Sequence, residues 1–236
     1  MEIEDYGIIG NLQTTALVSK KDASIDFFCF PTCDSPSVFA RLLDAEGGGH
    51  FRIAPQQSNT TTVYRTKQLY LPSSNVLQTR FSLPDGIAQV TDLMPVWEEA
   101  GQVIIKPWLL RKIDIVRGCL SLEACCQPAF LYGLDGHESF VDDKAGSITF
   151  KPTRTAPLTL SQHHCTDRRF VDWSLDDDGC LLCFRMCEGE SLIFCLAEEE
   201  APQSMSYAQL QLVFSKTNTF WNNWIGRSAY KGRWRE

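Results

Sequence analysis

Two hundred and thirty-six residues make one large domain or two small ones, at about 100–200 residues per domain. Hydrophobic residues at 44% and charged residues at 22% are ordinary globular usage, which excludes a disordered or collagen-like chain. Twenty-two Lys and Arg against 29 Asp and Glu leave a net charge of −7, which argues against a general binder of nucleic acid or anionic membrane.

Short apolar runs broken by turn residues dominate the chain, the pattern of an antiparallel β protein. Strands are predicted at Ala16–Ser19, Ile25–Phe30 and His50–Ile53. Between the second and third, Ser35-Pro36 reads as a helix start, with Ser as N-cap and Pro in the first turn, for a short helix through Leu43. Val76–Leu83 and Ile87–Met94 flank Pro84-Asp85-Gly86, a hairpin with a specified turn. Further strands are expected at Trp108–Val116, Cys119–Cys125 and Ser147–Phe150. Gly179–Cys187 and Ser191–Ala197 flank Glu188-Gly189-Glu190 as a second hairpin.

Ser206 to about Gly226 carries apolar residues at three-four spacing, the pattern of a long helix. The expected fold is therefore mainly β: an antiparallel two-sheet β-sandwich with a C-terminal α-helix. The shift from acidic Glu198-Glu199-Glu200 to the basic, aromatic tail predicts a sandwich domain over 1–200 and a helical appendage over 201–236.

No apolar run reaches the length of a membrane span, and MEIEDYGIIG lacks the basic start of a signal peptide. A soluble, cytoplasmic protein is the expectation, with its ten cysteines as free thiols. Cys180 and Cys183 form a CxxC, but the second close pair of a structural zinc site is missing, so no metal and no cofactor is expected. Asp142-Asp143 and Asp176-Asp177-Asp178 read as solvated turns.

The N-terminal segment surrounds apolar strands with Asp5, Tyr6, Asp26, Asp34 and Ser35. It contains IEDYGIIGN at 3–11, ALVS at 16–19, SID at 24–26, the run from Pro31 through DSPSVFARLLD to Asp44, and GGHF at 48–51. YLPSSNVLQTRF follows at 70–81, then Val90, Asp92 and Met94-Pro95, and a closing FW..W...S.YKGRWRE from Phe220 to Glu236. In this order the motifs resemble the N-terminal domain of trehalase-like and glucoamylase-like members of glycoside hydrolase family 15, most closely the fungal ones.

The resemblance implies a β-sandwich, a helical linker and then an α/α barrel carrying the two carboxylates of inverting hydrolysis. The barrel segments are absent from these residues, so no hydrolysis is expected from them alone. Phe27 stands where the family usually has Trp, and Cys33 where it has an aromatic, in loops that face the barrel in the family.

Two functions are therefore weighed. One is a non-catalytic sandwich that binds carbohydrate or a partner, with Trp97, Trp108, Tyr132, Trp173 and Trp224 as candidate ligand-binding aromatics. The alternative is a cofactor-independent enzyme of fungal secondary metabolism, a cyclase, isomerase or lyase using an apolar pocket. Asp5, Tyr6, Asp26, Arg111 and Tyr230 are its candidate catalytic groups. Trp224 with Tyr230 and Trp234 predicts an apolar surface covered by a second copy, by a ligand or by the tail.

Overall fold

A computed structural model describes residues 3–56, 64–166, 168, 170, 172–176, 179–198 and 201–228. In chain order its first strands are β1 (Tyr6–Gly10), β2 (Thr15–Ser19), β3 (Ile25–Cys29), β4 (Ser37–Phe39) and β5 (His50–Pro55). Next come β6 (Arg65–Tyr70), β7 (Leu77–Leu83), β8 (Gly86–Leu93), β9 (Val96–Glu99), β10 (Gln102–Ile105) and β11 (Trp108–Gln127). The rest are β12 (His137–Asp142), β13 (Ser147–Pro152), β14 (Leu158–His164), β15 (Trp173–Leu175), β16 (Cys180–Cys187) and β17 (Ser191–Ala197). The C-terminal helix spans Tyr207–Gly226.

All pairings are antiparallel; β9 and β10 pair with each other as a separate ribbon, and the other strands make two facing layers. One layer runs β1-β2-β3-β5-β11-β16-β15, with β4 on the outer part of β3. The other runs β6-β7-β8-β11-β17-β14-β13-β12. Both layers contain β11, because its first half pairs with β8 and β17 and its second half with β5 and β16. The two separate strands expected at 108–116 and 119–125 are thus one strand of 20 residues that passes from sheet to sheet.

Glycine makes the crossing possible. Gly118 sits at φ +76°, and a Cβ there would lie 2.0 Å from the carbonyl oxygen of Asp85 in the β7–β8 turn. The first predicted hairpin forms, with β7 and β8 paired down to Leu83 and Gly86, but the second does not: Gly189 at φ +83° turns the chain after β16, and β16 and β17 then pair with opposite halves of β11 instead of with each other.

The inward faces of the sheets share one core. Phe28, Phe39, Phe51 and Phe194 cross it as successive ring contacts at 6.2, 6.5 and 6.2 Å. Each such ring contributes on the order of 1.5–3 kcal/mol by burial. The helix makes a third layer, packing Leu210, Val213 and Phe214 on the opposite face of β8, β11 and β17. This explains the unbroken apolar run of β17: Leu192, Phe194 and Leu196 face the sandwich, while Ile193 and Cys195 face the helix. Ser206 caps that helix, accepting from Gln209 N at 3.3 Å while Gln209 Oε1 accepts from Ser206 N at 2.7 Å.

Two further expectations are corrected. The segment from Ser35 to Leu43 is not a helix, since Ser37, Val38 and Phe39 form β4 with all three buried. Ser35 does not cap a helix but closes a turn on Thr32, and Val38 and Phe39 suit a strand whose every side chain enters the interior. Nor are all the cysteines free, because the ladder of β11 and β16 sets Cys119 opposite Cys187, and the two are bridged.

Candidate functional site

The chemistry of a site must be sought where polar groups converge, and the N-terminal strands supply such a place. Asp26 on β3 is fully buried. Tyr6, at the start of β1, donates its hydroxyl to Asp26 Oδ2 at 2.8 Å. Arg41, on the loop after β4, lies 2.8 Å from Asp26 Oδ1 and 3.5 Å from Asp22 Oδ2. The Asp26–Arg41 contact is an ion pair without the angles of a hydrogen bond.

These contacts set protonation. Burial, then the bond to Asp26, pushes the Tyr6 hydroxyl well above the usual phenol value, so it stays protonated. Burial works against the charge on Arg41, but Asp26 and Asp22 outweigh it and hold the guanidinium charged.

Arg41 also lines a cavity of about 480 Å³, together with Glu46, His50, Gln127, Asp135 and His137. His50 opens β5, Gln127 closes β11 and His137 opens β12, so three strand ends meet there. Glycines form much of the wall. Gly49 at φ +67° brings its backbone so close that a Cβ would stand 2.3 Å from the carbonyl oxygen of Gln127.

His50 is held neutral. Burial first, and then Arg41, pushes its pKa down to about 4. Asp135 is anchored: Arg154 N and Thr155 N donate to Oδ2 at 2.9 and 3.1 Å, and Thr153 N to Oδ1 at 3.2 Å. Burial opposes its ionisation, but these amides prevail and keep the carboxyl below the usual range. The cavity thus offers a neutral imidazole, a guanidinium balanced by two carboxylates, an amide and a fixed carboxylate.

Of the catalytic candidates, only Tyr6 and Asp26 belong to this cluster. Asp5 pairs with Lys20 at the surface. Arg111 is fully buried in the core: its Nε donates to Asp92 Oδ1 at 2.8 Å, and its other nitrogens reach the carbonyls of Phe51 and Ala23. Phe51 and Ala23 belong to the opposite layer, so Arg111 clamps the sheets together and is out of a substrate's reach. Tyr230 lies outside the described residues.

None of the five candidate aromatics lines the Arg41 cavity. Trp97 and Trp108 are buried under the helix, and Trp173 is half-buried against the main core. Tyr132 is exposed in a left-handed turn, at φ +60°. Trp224 is 45% exposed and borders a separate, more apolar hollow of about 290 Å³ with Trp97 and Phe220. Arg41 and His50 were the residues missed, although both stand inside quoted motifs, in FARLLD and GGHF. Gln127, Asp135 and His137 carry no sequence signal, since only the fold brings them to the site.

Residues 1–106 match the family model described as trehalase-like, N-terminal. The chain carries a trehalase-like N-terminal domain. All of β1–β10 and the Tyr6–Asp26–Arg41 cluster fall within that trehalase-like match. Beyond it, similarity continues over most of the chain. The trehalase of Mycolicibacterium smegmatis is 28% identical over 237 residues, covering 94% of this chain and 34% of the relative. Trehalase 1 of Sulfolobus acidocaldarius is 40% identical over 166 residues, covering 70% of this chain and 26% of the relative. The trehalase of Thermoplasma volcanium is 28% identical over 243 residues, covering 98% and 35%. The chain therefore spans about a quarter to a third of the length of these curated relatives.

Among the described residues no group of three or more His, Cys, Asp or Glu side chains is placed to hold a metal ion. No described helix is long and apolar enough to cross a membrane.

Proposed function

We propose that these residues form a sugar-binding β-sandwich of the trehalase-like class, which holds a neutral saccharide in the Arg41–His50 cavity and does not itself cleave it. The observation that carries this reading is the make-up of the cavity. Its volume of about 480 Å³ lies within the usual range for small-ligand sites. Its cation is already balanced by Asp26 and Asp22, which favours an uncharged polyhydroxy ligand over an anion. Neutral His50 can both donate and accept, as sugar hydroxyls require.

Cleavage with inversion needs one carboxyl held protonated and a second, ionised one across the sugar. Asp135 is held ionised by backbone amides. The carboxyl raised by burial is Asp92, which sits in the core against Arg111. The cyclase or isomerase alternative needs an apolar pocket with a free acid or base. The hollow at Trp224 is the apolar one, but Glu98 and Lys216 at its rim are already in ion pairs with Arg227 and Glu99.

Calorimetric titration with trehalose, maltose and glucose tests the proposal, alongside a glucose-release assay. Binding without glucose release is expected, weakened tenfold or more by Arg41→Met. Silence with all three sugars, or turnover at enzyme rates, overturns it.

A further inference from the structure

We propose that the Cys119–Cys187 bridge is a thiol–disulfide exchange site, a redox latch on the turn that joins β16 to β17. The first observation is placement. Cys119 is exposed and Cys187 half-buried, on the outward face of their sheet, beside the Gly118 corner where β11 changes layers. A reductant can reach this sulfur pair without opening the core, which exchange requires.

The second observation is contrast with the other cysteines. Cys126 and Cys180 face each other on the same ladder, yet both are buried. Burial drives the Cys126 thiol well up and that of Cys180 to about 12, which leaves almost no thiolate. Burial also raises Cys29, Cys125, Cys183 and Cys195. These six thiols are thus poor attackers of the bridge, and the opening proposed is by an external dithiol.

The third is what the bridge holds. Cys187 N donates to Glu190 Oε2 at 2.6 Å, and Glu188 N donates to the carbonyl of Gly118 at 2.7 Å. The other oxygen of Glu190 lies 3.5 Å from Arg168 Nη1. The bridge therefore fixes one end of a turn whose carboxylate reaches across to the loop after β14.

In the exchange, a thiolate of the dithiol attacks Cys119 Sγ. The Cys119–Cys187 bond breaks as a mixed disulfide forms, and Cys187 leaves as a thiolate and takes up a proton. The second thiol of the dithiol then attacks the mixed disulfide, releasing Cys119 as a thiol. Two electrons pass to the protein, and the dithiol ends as an internal disulfide.

The test uses the whole chain purified without reductant, with dithiothreitol as the probe. Native thiols are counted with a chromogenic disulfide, in a Cys33→Ser background that removes the exposed free thiol. Two new thiols should appear on native reduction and react at least tenfold faster than Cys126 and Cys195. Hydrogen exchange should rise several-fold at 187–190 and stay unchanged at Leu192–Leu196. Cys119→Ser should reproduce the reduced pattern, and wild-type protein with dithiothreitol gives the answer if that variant fails to fold. A chain isolated with ten thiols, a bridge that yields only on denaturation, or an unchanged turn after reduction would each overturn the proposal.

Discussion

Acid should destabilise this protein through His50 in particular. Burial and Arg41 depress its pKa to about 4 in the fold, against the ordinary imidazole value of 6.5. Arg52 adds to the penalty on protonation, while Asp26 and Asp22 oppose it. Between these two values the unfolded chain binds the proton more readily than the folded one, so stability rises with pH across that window and falls as pH drops from about 6.5 towards about 4. The corresponding difference is about 2.5 kcal/mol at pH 4.5 and about 0.2 kcal/mol at pH 7, a loss of about 2 kcal/mol on acidification. For a chain of this size that is about 4–8 °C in melting temperature.

Other groups titrate in the same window, so the assay compares wild type with His50→Gln in thermal and urea melts at both pH values. The variant should lose about 2 kcal/mol less on acidification. Parallel pH profiles for the two proteins would refute the idea that His50 is held neutral by its surroundings.

Three further outcomes follow from the core and the corner. Arg111→Met should cost about 3–5 kcal/mol in urea denaturation, because it strands Asp92 in the interior, and adding Asp92→Leu should recover part of the loss. A cost below about 1 kcal/mol would show that the clamp between layers is not holding them. Replacing both Cys119 and Cys187 by Ala should lower stability by about 4 kcal/mol on the loop-entropy argument, given their sequence separation of 68. Equal stability with and without the pair would count against that bridge. Gly118→Ala should destabilise by more than about 1 kcal/mol, and by clearly more than Gly101→Ala, which has the same φ of +76° but nothing within 4 Å. Equal costs at the two glycines would mean that the close approach to Asp85 is irrelevant.

The strands were legible where a side-chain period or a turn announced them, as at Pro84-Asp85-Gly86 and Glu188-Gly189-Glu190. The helix was legible for the same reason, over its whole length. The stretch after Ser35 misled because Ser-Pro is a local helix signal, and burial of Ser37, Val38 and Phe39 on a neighbouring strand outweighed it. Tyr6 and Asp26 stood out as polar groups beside apolar strands. Their partner Arg41 did not, since an arginine in a loop reads as solvated until the fold shows two carboxylates beside it. Arg111 was misread for the mirror reason: one charge inside an apolar strand suggests function, yet Asp92 on the adjacent strand makes it a core pair. Aromatic residues carried little site information, because Trp97 and Trp108 serve a layer of packing between sheet and helix.

Because β11 belongs to both sheets, its length is a shared measurement. Inserting or deleting a single residue within Trp108–Gln127 would turn the remainder of the strand over, sending inward side chains to solvent. On one side of the change the alignment with β8 and β17 must hold, and on the other that with β5 and β16. No local adjustment satisfies both unless it is absorbed at the Gly118 corner. Length variation should therefore be tolerated at the hairpin turns and at that corner, and rejected everywhere else along this strand.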